Sequence, residues 1–362
     1  MGKKRKKPDQ LAPASGVPDT TELLADLREL IDAGRTQVAQ AVNAGLVLLY
    51  WSIGERVQRE ILGESRAAYG EQVITTLARQ LSTAYGRGFS RDNLFRMVQF
   101  AERFPDRGIV GTLSRQLGWS HFVLLFPLED PLKRDFYAEM CRVERWSVRT
   151  LRAKVQGMLF ERTALAKKPA RLAKQELAAL RDEDCLTPDL VFRDPYLLDF
   201  LDLAEGYSEK DLETAILREL QQFLLEMGGG FAFIDRQKRI VIDGEDFYID
   251  LLFYHRRLRR LIVIDLKIGK FEAADKGQME LYLRWLEKYE QQPGEETPLG
   301  LILCADKSEE QIQLLQLGQS GIRVATYMTD LPPRPLLEQK LHEAIKQARR
   351  RLADRLEEPL EG

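Results

Sequence analysis

The chain has 362 residues, 44% of them hydrophobic, enough for two or three domains with packed cores at about 100–200 residues each. That excludes a disordered chain and a small disulfide-stapled one. Lys and Arg number 54 against 56 Asp and Glu, a formal charge of −2, so the overall balance points to neither nucleic acid nor membrane. The halves differ, however: residues 1–160 carry 24 basic and 18 acidic side chains, net +6, and residues 161–362 carry 30 and 38, net −8.

Three cysteines (Cys141, Cys185, Cys304) without CxxC spacing exclude a disulfide framework and a zinc cluster, and fit a reducing compartment. The three histidines, His121, His255 and His342, lie far apart, which leaves little material for a His-rich metal site or a Ser-His-Asp triad. A metal would have to be held by carboxylates. The N-terminal charges are followed by no apolar signal region, and runs such as 46–51 are too short to span a bilayer. Gly2 is followed by Lys6 where a myristoylation signal needs Ser or Thr. The expectation is a cytoplasmic protein that makes no membrane contact.

Residues 1–19, opening with Lys3, Lys4, Arg5, Lys6 and Lys7, are charged and aperiodic and read as a disordered basic tail. From Thr20 to Gly63, Leu23, Leu27, Leu30, Val38, Val42, Leu49, Ile53 and Val57 recur at helical spacing, giving one long helix or two. A helix over 71–85 (Val73, Ile74, Leu77, Leu81) then meets Gly86-Arg87-Gly88, and Ser90 can cap a following helix bearing Leu94, Phe95 and Val98. This is a helix-turn-helix outline. Arg87, Arg91, Asn93 and Arg96, at or near the second helix's N-terminus, are candidate nucleic-acid contacts, although plain helical packing explains the same pattern. Further Ser-capped helices open at Trp119-Ser120-His121 and Trp146-Ser147, with His121 packed or capping.

An Ala/Lys/Glu-rich stretch over 166–190 reads as a linker helix separating a helical domain (20–165) from a second domain (191–335). In the latter, a helix over 212–227 stops at Gly228-Gly229-Gly230, and six β-rich runs follow at 231–234, 239–242, 247–254, 261–266, 299–305 and 322–327. Asp243-Gly244 is a hairpin turn, and a helix over 277–289 separates the fourth and fifth runs, so the sheet is mixed. The fold class is α+β in two domains: an all-α, winged-helix or helix-turn-helix-like N-terminal region and a C-terminal α/β domain. A terminal amphipathic helix (336–362) carries Leu337, Leu341, Ile345, Leu352 and Leu356, a seam for its own body or for a homodimer.

Asp250 sits inside the apolar run 247–254, and Asp265 and Lys267 close the run 261–267 on one face, two residues apart. Buried carboxylates need a counter-charge or a cation. Two acids from adjacent strands with one Lys suit Mg²⁺-assisted phosphodiester hydrolysis, while a structural Lys267 salt bridge remains the alternative. Glu213, on the helix leading into the sheet, could bring a third carboxylate. Gln278 and Tyr282 share one face of the later helix. His255 and Arg256, at the far end of Asp250's strand, read either as strand-end solvation or as a phosphate contact.

These residues resemble the PD-(D/E)XK nucleases in the form with a QxxxY helix motif. The strings LETAILRELQQFLLEMGGGFAFIDRQKRIVIDGEDFYIDLLFYHRRL, GQMELYLRWL and PLGLILCADKSEE resemble the YhcG-like family of nucleases, as do YGEQVITTLARQLSTAYGRGFSRDNLFRM, LGWSHFVLL and WSVRTLRAKV in the first half. The resemblance covers residues 20–330. It implies a restriction-endonuclease-like domain in which Asp250 and Asp265 bind Mg²⁺, or Mn²⁺ in its place. Glu213 would complete the metal shell, Lys267 would assist attack, and Gln278 and Tyr282 would position substrate or lysine. Members of that family usually have Glu at the position of Asp265, and the superfamily uses either acid. The reading that follows is a Mg²⁺-dependent DNA nuclease whose N-terminal domain recruits DNA or a partner protein. Its rivals are a catalytically inactive nucleic-acid-binding or assembly module and a transcription regulator, the latter leaving Asp250, Asp265 and Lys267 unexplained.

Overall fold

The computed structural model describes residues 21–62 and 67–357. The expected tail over 1–19 and the helix end at Gly63 lie outside these, and so does the side chain of Leu356. The chain divides into two compact units, Met1–Trp119 and Ser120–Gly362.

In the first unit, helix α1 (Thr21–Leu62) is continuous for 42 residues, and α2 (Ala67–Tyr85), α3 (Arg91–Arg103) and α4 (Arg107–Ser114) follow. Ile74, Ala78, Leu94 and Met97 form the buried cluster, flanked by Ile53 and Val57 of α1. Gly54 is required where α1 meets α3: a Cβ there would stand 1.8 Å from the Met97 carbonyl oxygen. Trp51 anchors the same contact by donating its indole N–H to the Phe104 carbonyl at 2.7 Å. The helix–turn–helix arrangement of α2 and α3 is present, but two details differ from expectation. Ser90 occupies the N-cap position without a side-chain hydrogen bond, contributing only its carbonyl to the Leu94 N–H at 2.9 Å. No strand occurs among this unit's described residues, so the helices are there and a β-wing is not.

The second unit begins within α5 (Trp119–Leu125) and continues through α6 (Pro131–Glu144), α7 (Val148–Gln156), α8 (Ala164–Lys167), α9 (Ala170–Glu183) and α10 (Pro188–Val191). Asp130 and Ser147 cap α6 and α7 with their side chains. His121 donates Nε2–H to the Trp146 carbonyl at 3.0 Å, a packing role. The stretch read as a linker is integrated instead: Ala173, Leu177 and Leu180 of α9 are buried. Arg162 and Arg193 both pair with Glu226, the latter at 3.0 Å, and Lys167 and Lys307 hold Asp194 at 2.5 and 2.6 Å. Although burial opposes ionisation, these cations keep Glu226 and Asp194 below the usual carboxylate range.

Strand β1 (Tyr196–Leu197), too short to be legible, opens the sheet. Then come α11 (Glu209–Arg218), α12 (Leu220–Met227), β2 (Phe231–Ile242), β3 (Glu245–His255), β4 (Arg260–Leu266), α13 (Ala273–Tyr289), β5 (Leu299–Cys304), α14 (Glu309–Leu314), β6 (Ile322–Met328) and α15 (Arg334–Glu357). The strand order is β1-β6-β5-β4-β3-β2. The pairs β1–β6, β6–β5 and β5–β4 are parallel, and β4–β3 and β3–β2 antiparallel. Asp243 and Gly244, both at positive φ, make the two-residue turn between β2 and β3.

Two element boundaries differ from the periodicity reading. The helix expected over 212–227 breaks at Glu219 into α11 and α12, and the runs 231–234 and 239–242 are one strand, β2, with a bulge after Phe233. α11 and α12 cover one sheet face through Leu212, Ile216 and Phe223; α13 covers the other through Met279, Tyr282, Leu283 and Leu286. The seam of α15 is covered by its own body: Leu337 and Leu341 cluster with Met158 and Met328, and Arg349 donates to the Ala166 carbonyl at 2.9 Å. Of the two alternatives for this seam, packing on its own body is the one observed.

Candidate active site

The site forms where β3 and β4 part company. Their last paired residues are Leu251 and Ile264, and one step further the register sets Asp250 opposite Asp265. Instead of a backbone ladder, Asp250 Oδ2 accepts the Leu266 N–H at 2.9 Å, so a side chain takes over a strand bond and is fixed by it. Lys267 continues on the other side, its N–H bonding the Leu303 carbonyl at 2.8 Å. Ile264 and Leu266 face α11 and α12 and Val263 faces α13, so alternation turns Asp265 toward α13.

Asp265 is 4% exposed and its Oδ2 lies 3.0 Å from Lys267 Nζ. Burial pushes its carboxyl up to about 7, with the negative field of Asp250 adding to the rise and Lys267 only partly offsetting it. Lys267 is desolvated too, yet Asp265, Glu209 and Asp275 hold its ammonium above the ordinary value. Tyr282, 2% exposed, accepts a hydrogen bond from Gln278 Nε2 at 2.7 Å. Burial raises its phenol, and the charges of Asp265 and Asp250 raise it further. The QxxxY pair thus sits within the field of both acids.

Glu213 joins through a residue the sequence reading missed. Gln237 Nε2 donates to Glu213 Oε2 at 2.7 Å and to Asp250 Oδ1 at 3.1 Å, bridging α11 and β3. Gln237 falls between the pairs Arg236–Leu251 and Lys238–Ile249, directly across from Asp250, with its backbone at φ 45°. A non-glycine residue in that region is strained and clusters at functional sites. The signal available in the sequence was the polar interruption Asp235-Arg236-Gln237-Lys238 between two apolar runs, since bulged strands re-aim side chains there. A cleft of about 510 Å³ opens over this group, lined by Glu209, Glu213, Arg236, Gln237 and Asp250.

The six residues expected at the site are thus brought together as three linked pairs: Asp265 with Lys267, Gln278 with Tyr282, and Glu213 with Asp250 through Gln237. Among the described residues no three His, Cys, Asp or Glu side chains form a metal cage. The donor set nevertheless suits a cation that keeps much of its water and takes one or two carboxylates, as Mg²⁺ does. Asp250 Oδ1 and Glu213 Oε2 are hard oxygens sharing one amide donor.

The candidate nucleic-acid residues sit together at the α2–α3 turn. Arg91 pairs with Glu71 and lies 4.9 Å over the Phe95 ring. Asn93 donates to the Gly88 carbonyl at 3.2 Å, and Arg96 to Asn93 at 3.3 Å. Arg87 is exposed. His255 does not serve as a phosphate contact: it is fully buried, with Nδ1 accepting the Leu258 N–H at 3.1 Å and Nε2–H donating to the Gly229 carbonyl at 3.2 Å.

Residues 189–343 match the YhcG PDDEXK nuclease domain, and residues 26–162 the DUF1016 N-terminal domain. YhcG of Escherichia coli (strain K12) is 36% identical over 343 residues, covering 86% of this chain and 91% of that protein. The chain belongs to the YhcG family. Its C-terminal half carries the family's nuclease domain, on which Asp250, Asp265 and Lys267 fall. Among solved structures, a repair endonuclease from Pyrococcus abyssi matches at 24% identity and a TM-score of 0.25 over 36% of this chain and 50% of that one. EndoMS in complex with double-stranded DNA matches at 16% identity and a TM-score of 0.26 over 36% and 49%. The chain spans about half the length of these structures. No helix among the described residues is long and apolar enough to cross a membrane.

Proposed function

We propose that this protein is a divalent-metal-dependent DNA nuclease of the cytoplasm, hydrolysing phosphodiester bonds at the Asp250/Asp265/Lys267 site. The observation that carries the reading is the placement of Asp250 across from Asp265 where β3 and β4 diverge, with Lys267 3.0 Å from Asp265, inside a domain matching the PDDEXK nucleases. Asp250 and Asp265, with Glu213 beside them, are the residues to hold Mg²⁺ or Mn²⁺. A divalent cation, when bound, supplies Lewis-acid charge to the phosphodiester and lowers the pKa of the attacking water.

The protein's own groups do the rest. Lys267 Nζ, kept charged by Asp265, places a cation against the phosphoryl oxygens as negative charge grows on them. Gln237 fixes the spacing of Glu213 and Asp250 before substrate arrives. Gln278 orients the Tyr282 hydroxyl beside the acids, where it can contact substrate or lysine. In the first unit, Arg87, Arg91, Asn93 and Arg96 are the proposed contacts to DNA phosphates, in keeping with the net +6 of residues 1–160. Recruitment of a partner protein is the alternative role for that unit.

Purified protein incubated with linear, circular and branched DNA, with Mg²⁺, with Mn²⁺ and with chelator, tests this reading. Cleavage of at least one substrate that disappears with chelator is expected. DNA binding without cleavage under every metal condition would replace the enzyme with a non-catalytic binding module, leaving the Lys267–Asp265 pair as a structural salt bridge.

A further inference from the structure

Helix α1 buries its second half and not its first. From Glu22 to Val42 every residue is exposed, including Leu23, Leu24, Leu27, Leu30, Ile31, Val38 and Val42 at 46–69%. An unpacked helix is marginal in water, and these apolar groups lie on one side. Together with Leu46 and Leu49, at 44% and 47%, they make one contiguous exposed apolar stripe, the kind of surface that marks an interaction site.

The spacing defines what fits. Leu24, Leu27, Ile31, Gly34, Val38, Ala41, Gly45 and Leu48 alternate steps of three and four, a heptad seam for another helix. Gly34 and Gly45 are notable because nothing lies within 4 Å of a Cβ built on either, and a mid-helix glycine costs about 1 kcal/mol relative to alanine. Nothing among the described residues calls for them, whereas a closely approaching helix does.

The occupant follows from size and charge. In an antiparallel pair of two α1 helices centred near residue 36, Leu27 lies over Gly45, Ile31 over Ala41, Val38 over Gly34 and Leu24 over Leu48, so each glycine or alanine receives a bulky partner. A parallel pair would stack glycine on glycine and leave gaps. Residues 36–54 contain no charged side chain, while Glu22, Asp26, Glu29 and Asp32, against Arg28 and Arg35, give residues 22–35 a net charge of −2. Antiparallel pairing therefore sets the net-acidic half against a neutral one, where parallel pairing would oppose net −2 to net −2. Arg35, near the axis, has Asp32 three residues away on its own helix to offset it.

We infer that the first half of α1 is a homodimer interface, two copies of this chain joining through residues 24–48 as a two-fold antiparallel helix pair. Light scattering and sedimentation on the full-length chain should give a dimer. Leu27→Glu with Val38→Glu should raise its dissociation constant at least a hundredfold while circular dichroism stays native. Gly34→Leu should also weaken it, although leucine is the better helix former and would strengthen a helix that stood alone. In a Cys185→Ser background, Leu27→Cys with Gly45→Cys should form an intersubunit disulfide on oxidation. A monomeric wild type would overturn the inference, and so would a dimer that survives Leu27→Glu/Val38→Glu. Cross-linking by Leu27→Cys alone and not by the 27/45 pair would overturn the antiparallel arrangement.

Discussion

His255 supplies a prediction in which structure sets both sign and size. Its ring is fully buried, edge-on to Phe231 at 4.7 Å between centroids, with both nitrogens engaged in the neutral tautomer: one accepts the Leu258 N–H and the other donates to the Gly229 carbonyl. Protonation would turn the accepting nitrogen into a donor facing a donor. Burial first, and the nearby Arg257 charge after it, bring the imidazole from 6.5 down to about 4. The unfolded chain thus binds a proton below about pH 6.5 while the folded chain stays neutral, so stability is full above that value and falls as pH drops toward 4. By linkage the loss is about 2 kcal/mol at pH 5 and approaches about 3 kcal/mol at pH 4. The chain has three histidines, so an NMR titration resolves each imidazole, and His255→Gln identifies the missing resonance. His255 should stay neutral through pH 5, and urea unfolding should show wild type losing more stability than His255→Gln between pH 7 and pH 5. An imidazole titrating normally at that position, or equal losses in both proteins, would refute the reasoning.

Gln237→Gly should relieve the strained backbone at φ 45° while removing the donor shared by Glu213 and Asp250; the expected result is an unchanged or slightly higher melting temperature with cleavage reduced tenfold or more. Glu226→Gln leaves Arg162 and Arg193 buried without a counter-charge, which should cost about 3–5 kcal/mol and lower the melting temperature by roughly 10 °C in a calorimetric scan. Gly54→Ala would drive a Cβ to 1.8 Å from the Met97 carbonyl oxygen; overpacking against backbone should destabilise the first unit by about 3 kcal/mol, read as a lower helical melt by circular dichroism, whereas an exposed helical glycine replaced the same way gains stability.

The acids and the lysine were legible because each violates a local rule: a carboxylate inside an apolar strand calls for a partner wherever the fold puts it. The Asp243-Gly244 turn was legible because two positive-φ residues are a local requirement. Gln237 was not, since its role depends on a register shift in β2 that only the pairing with β3 reveals. The break at Glu219 was hidden for a similar reason: Ile216, Leu220 and Phe223 keep helical spacing straight through it, so periodicity runs on where the backbone does not. The two apolar seams have different outcomes although their spacing is alike. Leu337 and Leu341 are covered by Met158 and Met328, the own-body alternative, whereas Leu27 and Val38, legible only as helical spacing, are exposed. Which side of a stripe meets protein is a tertiary fact, and spacing alone is blind to it.

The most direct test of the central claim is the single-turnover cleavage rate of Asp250→Asn beside wild type, on a DNA substrate that wild type cuts, with both proteins saturated with DNA and with Mn²⁺. Asparagine keeps an oxygen able to accept the Leu266 N–H, so the fold and DNA affinity should persist. The rate should fall by at least a thousandfold because the carboxylate charge is gone. Cleavage by Asp250→Asn within a few fold of wild type would contradict the assignment of hydrolysis to this site.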